Sequence, residues 1–158
     1  AQLVQPSSTP IPFLPEEESG CTDLIFFMPV VVKSAMVNGS LMLMIDTAAS
    51  QTALLDKDLV RYQVDVSRLT PASSPIIGVG GDVRTFQIKD VELRFKSDDG
   101  FLTLRQDIVA IQHDRRRLSE SIRNRVLVLQ SVLGLDILNQ FRLTVDFKGG
   151  VVQMESHD

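Results

Sequence analysis

Leu41-Met42-Leu43-Met44-Ile45-Asp46-Thr47-Ala48-Ala49-Ser50 places an ionisable side chain directly after five consecutive apolar residues. So short an apolar run predicts a strand buried on both faces, with Asp46 delivered at its end. A lone carboxylate in such a place is costly, because burial without a partner costs several kcal/mol or forces the group neutral. Two explanations fit the pentapeptide equally. Asp46 caps a helix that follows it, or it is placed there for chemistry.

Working outward, the upstream neighbour is a β-branched run, Val30-Val31-Val32, and Asn38-Gly39 between the two apolar stretches predicts a hairpin turn. Order is expected from about Leu24. Residues 1–23 are expected to form a flexible tail rich in Pro and Glu, because Pro6, Pro10, Pro12, Pro15 and the run Glu16-Glu17-Glu18 oppose regular structure. Residues 24–158 then form one domain. Downstream, residues 53–62 suit a short helix and Thr70 to Pro75 is rich in turn formers. Ile76-Ile77-Gly78-Val79-Gly80-Gly81 carries too much glycine for a core strand and suits the tip of a mobile hairpin.

Val83 to Phe95 and Phe101 to Ile111 read as strands joined by a turn at Ser97-Asp98-Asp99-Gly100. His113 to Arg125 reads as a helix, with Leu118, Ile122 and Val126 four apart on one face and Arg115, Arg116, Arg117, Arg123 and Arg125 on the other. That basic face is either solvated or a docking patch for an acidic partner. Val126 to Leu133 is apolar apart from Gln130 and Ser131. Gly134 interrupts it, and Leu135 to Gln140 suits a short helix. Arg142 to Phe147 alternates, Lys148-Gly149-Gly150 turns the chain, and Val151 to Met154 pairs back. The fold class is mainly β with short helices.

Composition excludes several functions. The chain has 158 residues and a net charge of −4, which argues against nucleic acid as the main partner. Cys21 is alone, so no internal disulfide forms, which fits a reducing compartment and a cytoplasmic location. No apolar run reaches the roughly 18–20 residues of a membrane span. His113 and His157 stand far apart without a cysteine partner, so no metal site is expected, and nothing points to a cofactor. There is no Gly-x-Ser-x-Gly elbow, and the glycine-rich segment lacks the Lys-Ser/Thr ending of a phosphate loop.

Three segments in order, Asp46-Thr47-Ala48, the glycine-rich 76–81 and Val132-Leu133-Gly134, resemble the retropepsin-like aspartic proteases across residues 28–154. Gly134-Leu135-Asp136-Ile137-Leu138 looks most like the cellular and bacterial members. The resemblance implies one half of an acid protease, a retropepsin-like closed β-barrel with a flap hairpin. It implies an aspartic endopeptidase with Asp46 as the catalytic carboxylate and Thr47, Ala48, Ala49 and Ser50 as its supporting loop. Ile77, Gly78, Val79, Gly80 and Gly81 would be the flap over an extended peptide, and Leu133 and Gly134 would pack behind the catalytic loop. Two carboxylates side by side share one proton and act together as acid and base. Only one such motif occurs here. Asp136 and Asp146 lack the following Thr or Ser and small residue, so the second Asp46 would come from a second copy in a homodimer.

Two departures stand out. The family's glycine is Ala48, whose methyl is expected to crowd substrate or strain the turn. The Asp and Arg that form a structural ion pair in many viral members are Ser50 and Leu135, both replaced together, so no buried charge is stranded. Ala48 keeps a second reading open, a non-catalytic dimerisation or peptide-binding module on the same fold.

Overall fold

The computed structural model describes residues 2–6, 8–10, 24–73, 83–97 and 100–156. In chain order the strands are β1 (Gln2–Pro6), β2 (Ser8–Pro10), β3 (Leu24–Lys33), β4 (Asn38–Ile45), β5 (Ala53–Leu54), β6 (Thr70–Pro71), β7 (Val83–Ser97), β8 (Gly100–His113), β9 (Val132–Leu133), β10 (Phe141–Asp146) and β11 (Val151–Ser156). Three short helices intervene, α1 (Asp56–Arg61), α2 (Glu120–Val126) and α3 (Leu135–Leu138), with a 3-10 turn at Val66–Arg68.

The strands form a three-stranded sheet, β1-β11-β10, and an eight-stranded sheet, β2-β3-β4-β9-β5-β8-β7-β6. A further β3–β7 pairing, from Val30↔Phe95 to Lys33↔Glu92, links two strands that lie apart in the larger sheet's order. β3 therefore serves two partners on one edge, β2 at Leu24 to Phe26 and β7 from Val30 onward. The handover falls at Pro29, which has no N–H to give to either. The buried side chains include Met28, Val30 and Val32 of β3, Leu41 and Leu43 of β4, Leu93 and Phe95 of β7, Leu133 of β9 and Ile137 of α3. Each large apolar side chain so buried contributes about 1.5–3 kcal/mol.

Several expectations change. β1 and β2 lie within the stretch expected to be irregular: β1 pairs with β11 from Gln2↔Glu155 to Pro6↔Val151, and β2 pairs with the start of β3. Pro6 and Pro10 end these outermost strands, where a missing N–H does least harm. β4 is buried on one face only in a single chain, since Leu41 and Leu43 are inside while Met42 is 45% exposed. Thr70-Pro71, expected in a turn, pairs with Gln87 and Phe86 of β7.

The β3–β4 turn is not at Asn38-Gly39, because Asn38 already pairs with Lys33 and Gly39 with Val32. Ser34 makes the turn instead: its Oγ accepts from the N–H groups of Met36 at 3.1 Å and Val37 at 3.0 Å. Gly39 is needed for another reason, since a Cβ there would collide with the Tyr62 ring, whose hydroxyl donates to the Ser40 carbonyl.

The helix expected over 113–125 is shorter and later. β8 continues through His113, paired with Val83, and helix begins only at Glu120, where Ser119 Oγ caps the Ile122 N–H. The helix expected over 53–62 is confined to α1, because Ala53 and Leu54 pair with Val109 and Ala110 as β5. The expected flap, Ile77 to Gly81, lies outside the described residues.

Candidate active site

Asp46 is positioned by a parallel pair of short strands. Met44 of β4 aligns with Val132 of β9, and Ile45 aligns with Leu133. The ladder runs on past both ends: Met44 N donates to Ser131 O at 2.8 Å, and Asp46 N donates to Leu133 O at 3.1 Å. The N–H of Asp46 is therefore fixed to a segment 87 residues away in sequence (133 − 46).

The turn that follows closes on the Asp46 carboxylate. Ala48 N donates to Asp46 Oδ1 at 2.9 Å, and Ala49 N donates to Asp46 O at 3.2 Å. Asp46 is half-buried, and Thr47, Ala48 and Ser50 are exposed in a single chain, with Ala49 intermediate. Among the described residues Asp46 forms no ion pair, and its Oδ2 accepts from no side chain or backbone group. The turn is not a helix cap, since Ala53 and Leu54 form a strand before α1 begins at Asp56. Ala48 does not adopt a positive φ, the only described non-glycine residues that do being Gln63 and Asp90, so the strain expected of its methyl is absent.

A second layer holds this turn. Leu135 N donates to Ala49 O at 2.8 Å. Gly134 lies against the backbone on the far side: a Cβ there would stand 2.5 Å from Gln51 C and 2.6 Å from Gln51 O, so no larger residue fits without moving the chain. Thr52 is fully buried, and its Oγ1 accepts from Gly134 N at 3.0 Å while donating to Asp136 Oδ1 at 2.8 Å. Asp136 Oδ1 also takes Thr52 N at 2.8 Å and Ile137 N at 3.0 Å, and its Oδ2 takes Gln106 Nε2 at 3.1 Å.

Asp136 is thus a strut joining α3 to β8 and to Thr52, the residue before β5. Leu133, fully buried, fills the space beneath. Thr52, Ser131 and Asp136 brace the site, and of the three only Asp136 falls within a motif, Gly134-Leu135-Asp136-Ile137-Leu138. The readable signal was the presence of Thr52 and Ser131 among apolar residues, where a hydroxyl needs a partner. Ser131 finds two: its Oγ accepts from Leu55 N at 3.0 Å and donates to Asp58 Oδ2 at 2.5 Å.

Among the described residues no group of three or more His, Cys, Asp or Glu could hold a metal ion, and no helix is long and apolar enough to cross a membrane.

A retropepsin-like aspartic protease from Rickettsia conorii superposes on 98% of this chain and 90% of its own, with TM-score 0.53 and 15% identity. The chain has the retropepsin-like fold. Two further solved structures are similar at lower scores. The EIAV protease complexed with the inhibitor HBY-793 has 18% identity, TM-score 0.46 and coverage of 80% of this chain and 91% of that one. The retroviral protease-like domain of Ddi1 from Leishmania major has 12% identity, TM-score 0.48 and coverage of 85% and 94%. No family model and no curated protein matches the sequence. In the retropepsin-like frame the mainly β architecture follows as expected, and Asp46 sits at the end of an inner strand.

Proposed function

We propose that this chain is an aspartic endopeptidase whose dyad forms from the Asp46 carboxylates of two copies. The carrying observation is Asp46 itself, its backbone fixed to Leu133 and its carboxylate without a cationic partner. The other acidic side chains near the loop are occupied, Asp136 by four donor atoms and Asp58 by Ser131. A second reactive carboxylate therefore comes from outside the chain, and a two-fold axis supplies it.

In the dyad one carboxyl stays protonated, because two close like charges do not both ionise. The ionised member takes a proton from a bound water, whose oxygen attacks the scissile carbonyl carbon. The protonated member hydrogen-bonds the carbonyl oxygen. Collapse of the gem-diol breaks the C–N bond as the amine nitrogen takes up a proton, and no acyl-enzyme forms. The substrate is an extended peptide, held between the dyad and the segment Ile77 to Gly81, with Thr47 bracing the two loops across the axis. A reducing compartment such as the cytoplasm suits a chain whose one cysteine is Cys21.

The alternative of a non-catalytic binding module rests on Ala48, and the ordinary backbone there leaves it only the room that the methyl takes from substrate. The deciding experiment mixes the natural chain with Asp46→Asn at fixed total concentration and measures cleavage of a peptide library. A shared dyad makes activity fall as the square of the natural fraction, with a bell-shaped pH profile and an acidic optimum. A linear fall means each chain acts alone, and cleavage by pure Asp46→Asn ends the proposal.

A further inference from the structure

The arginines of the 113–125 segment have no part in the dyad. β8 ends at His113, which is buried and pinned: its N–H donates to Asp56 Oδ1 at 3.2 Å and Oδ2 at 3.3 Å, and its Nδ1 lies 2.5 Å from Asp56 Oδ2. The chain then turns tightly, with Arg115 N donating to His113 O at 2.9 Å and Arg116 N to Asp114 Oδ1 at 3.3 Å. On the neighbouring strand Arg84 pairs with Gln112, and its Nη2 donates to Gln112 Oε1 at 2.7 Å. Between these pieces and α2 is a cavity of about 660 Å3, lined by Arg84, Arg115, Arg116, Arg123, His113 and Asp114 together with Gln112.

The charge in this cavity is one-sided. Four guanidinium groups face one carboxylate, Asp114, and that carboxylate is engaged by Arg117 at 3.5 Å. None of the four arginines forms an ion pair among the described residues. A chain with 16 basic residues and a net charge of −4 has thus gathered a quarter of its basic residues around one concavity. Their mutual repulsion is relieved by an anion, and guanidinium forks match carboxylates in pairs of hydrogen bonds.

We propose that this cavity is a docking site for an acidic stretch of peptide, an Asp/Glu-rich segment flanking the bond to be cleaved. The inference rests on the endopeptidase reading for the bond to be cleaved, but not for binding itself. Three observations favour peptide over another polyanion. The cavity has room for a few side chains and not for a duplex. The acidic balance of the whole chain repels long polyanions. Arg84 lies three residues after Gly81, so the cavity adjoins the glycine-rich segment in sequence.

The test uses the full chain carrying Asp46→Asn, so that binding is read without turnover. Fluorescence anisotropy is recorded with a labelled peptide bearing an Asp/Glu run beside an apolar segment, with its Asn/Gln counterpart, and with a single-stranded oligonucleotide of equal charge. The acidic peptide binds at least about tenfold more tightly than the neutral one. That advantage shrinks with salt and disappears in Arg115→Gln/Arg116→Gln, both exposed side chains whose loss does not threaten the fold, while Arg142→Gln on β10 leaves it intact. Equal binding of the two peptides, an equal loss from Arg142→Gln, or tighter binding of the oligonucleotide overturns the proposal. If the acidic peptide binds as described but the natural chain never cleaves it, the docking site stands and the endopeptidase reading falls.

Discussion

Asp46 and Asp146 occupy matching local positions. Each comes at the end of a strand, β4 or β10, and each accepts a hydrogen bond on Oδ1 from a backbone N–H of the turn that follows, Ala48 N or Gly149 N, both at 2.9 Å. What surrounds them differs. The turn after Asp146 is exposed and local in its hydrogen bonding, leading straight into β11, with the Phe147 ring reaching back to Phe26. The turn after Asp46 is tied to residues 133–136 through Leu133, Gly134, Leu135 and Asp136, and Asp46 is half-buried. A strand-end aspartate with an accepting carboxylate is common hardware for a turn. What sets Asp46 apart is that distant chain holds it, and precise placement of a reacting group needs such support.

The contrast can be broken most sharply at the two carboxylates. Asp46→Asn lowers kcat/KM by about 10³-fold or more with the thermal transition little changed, while Asp146→Asn leaves peptidase activity within about twofold. If the two substitutions have equal effects on cleavage of one reporter peptide, the long-range support has no catalytic meaning.

Removing the support is next in size. Asp136→Ala strands Thr52 N and the buried Thr52 hydroxyl, while Ile137 N keeps the Gly134 carbonyl, so urea denaturation records a loss of about 2–4 kcal/mol. The matching Asp146→Ala costs about 1 kcal/mol or less, since water replaces the lost partner.

The glycines behind the two turns sharpen the comparison. Gly134→Ala meets the Gln51 backbone and costs about 2–3 kcal/mol. Gly149→Ala meets the Asp146 carboxylate, a side chain free to swing outward, and costs about 1 kcal/mol at most. Comparable urea midpoints for the two variants would show that the 51–134 contact has slack.

The smallest effect is at Ala48. With no backbone strain to relieve, Ala48→Gly raises kcat/KM by no more than about tenfold, through added room for substrate alone. Its stability falls by about 0.4–1 kcal/mol through the freer unfolded chain. A steep rise in activity would mean the methyl crowds the groove far more than its exposed position suggests.

Periodicity made much of this legible. β7, β8, β10 and β11 follow from alternation and from the turns at Ser97–Gly100 and Lys148–Gly150, and Asp46 follows from its place after an apolar run. What stayed hidden depends on contacts across the chain. Asn38-Gly39 has the composition of a turn, but its glycine answers to Tyr62, and Ser34 turns the chain by bonding its own backbone. His113 opens the stretch in which Leu118, Ile122 and Val126 suggest a helix, yet Asp56, 57 residues earlier, holds it in β8. Thr52, Ser131 and Asp136 brace the site through bonds that span 73 to 84 residues, a spacing that no window along the sequence contains.

The register of β1 against β11 has a mechanical consequence. Gln2 lies opposite Glu155 and Pro6 opposite Val151, so the two ends of the described chain enter the sheet side by side. A force pulling those ends apart loads one rung at a time, and the strands unzip instead of shearing. β1 peels away at low tension while β10 and β11 remain paired, leaving the ties between the Asp46 turn and Leu133 outside the first path of the load.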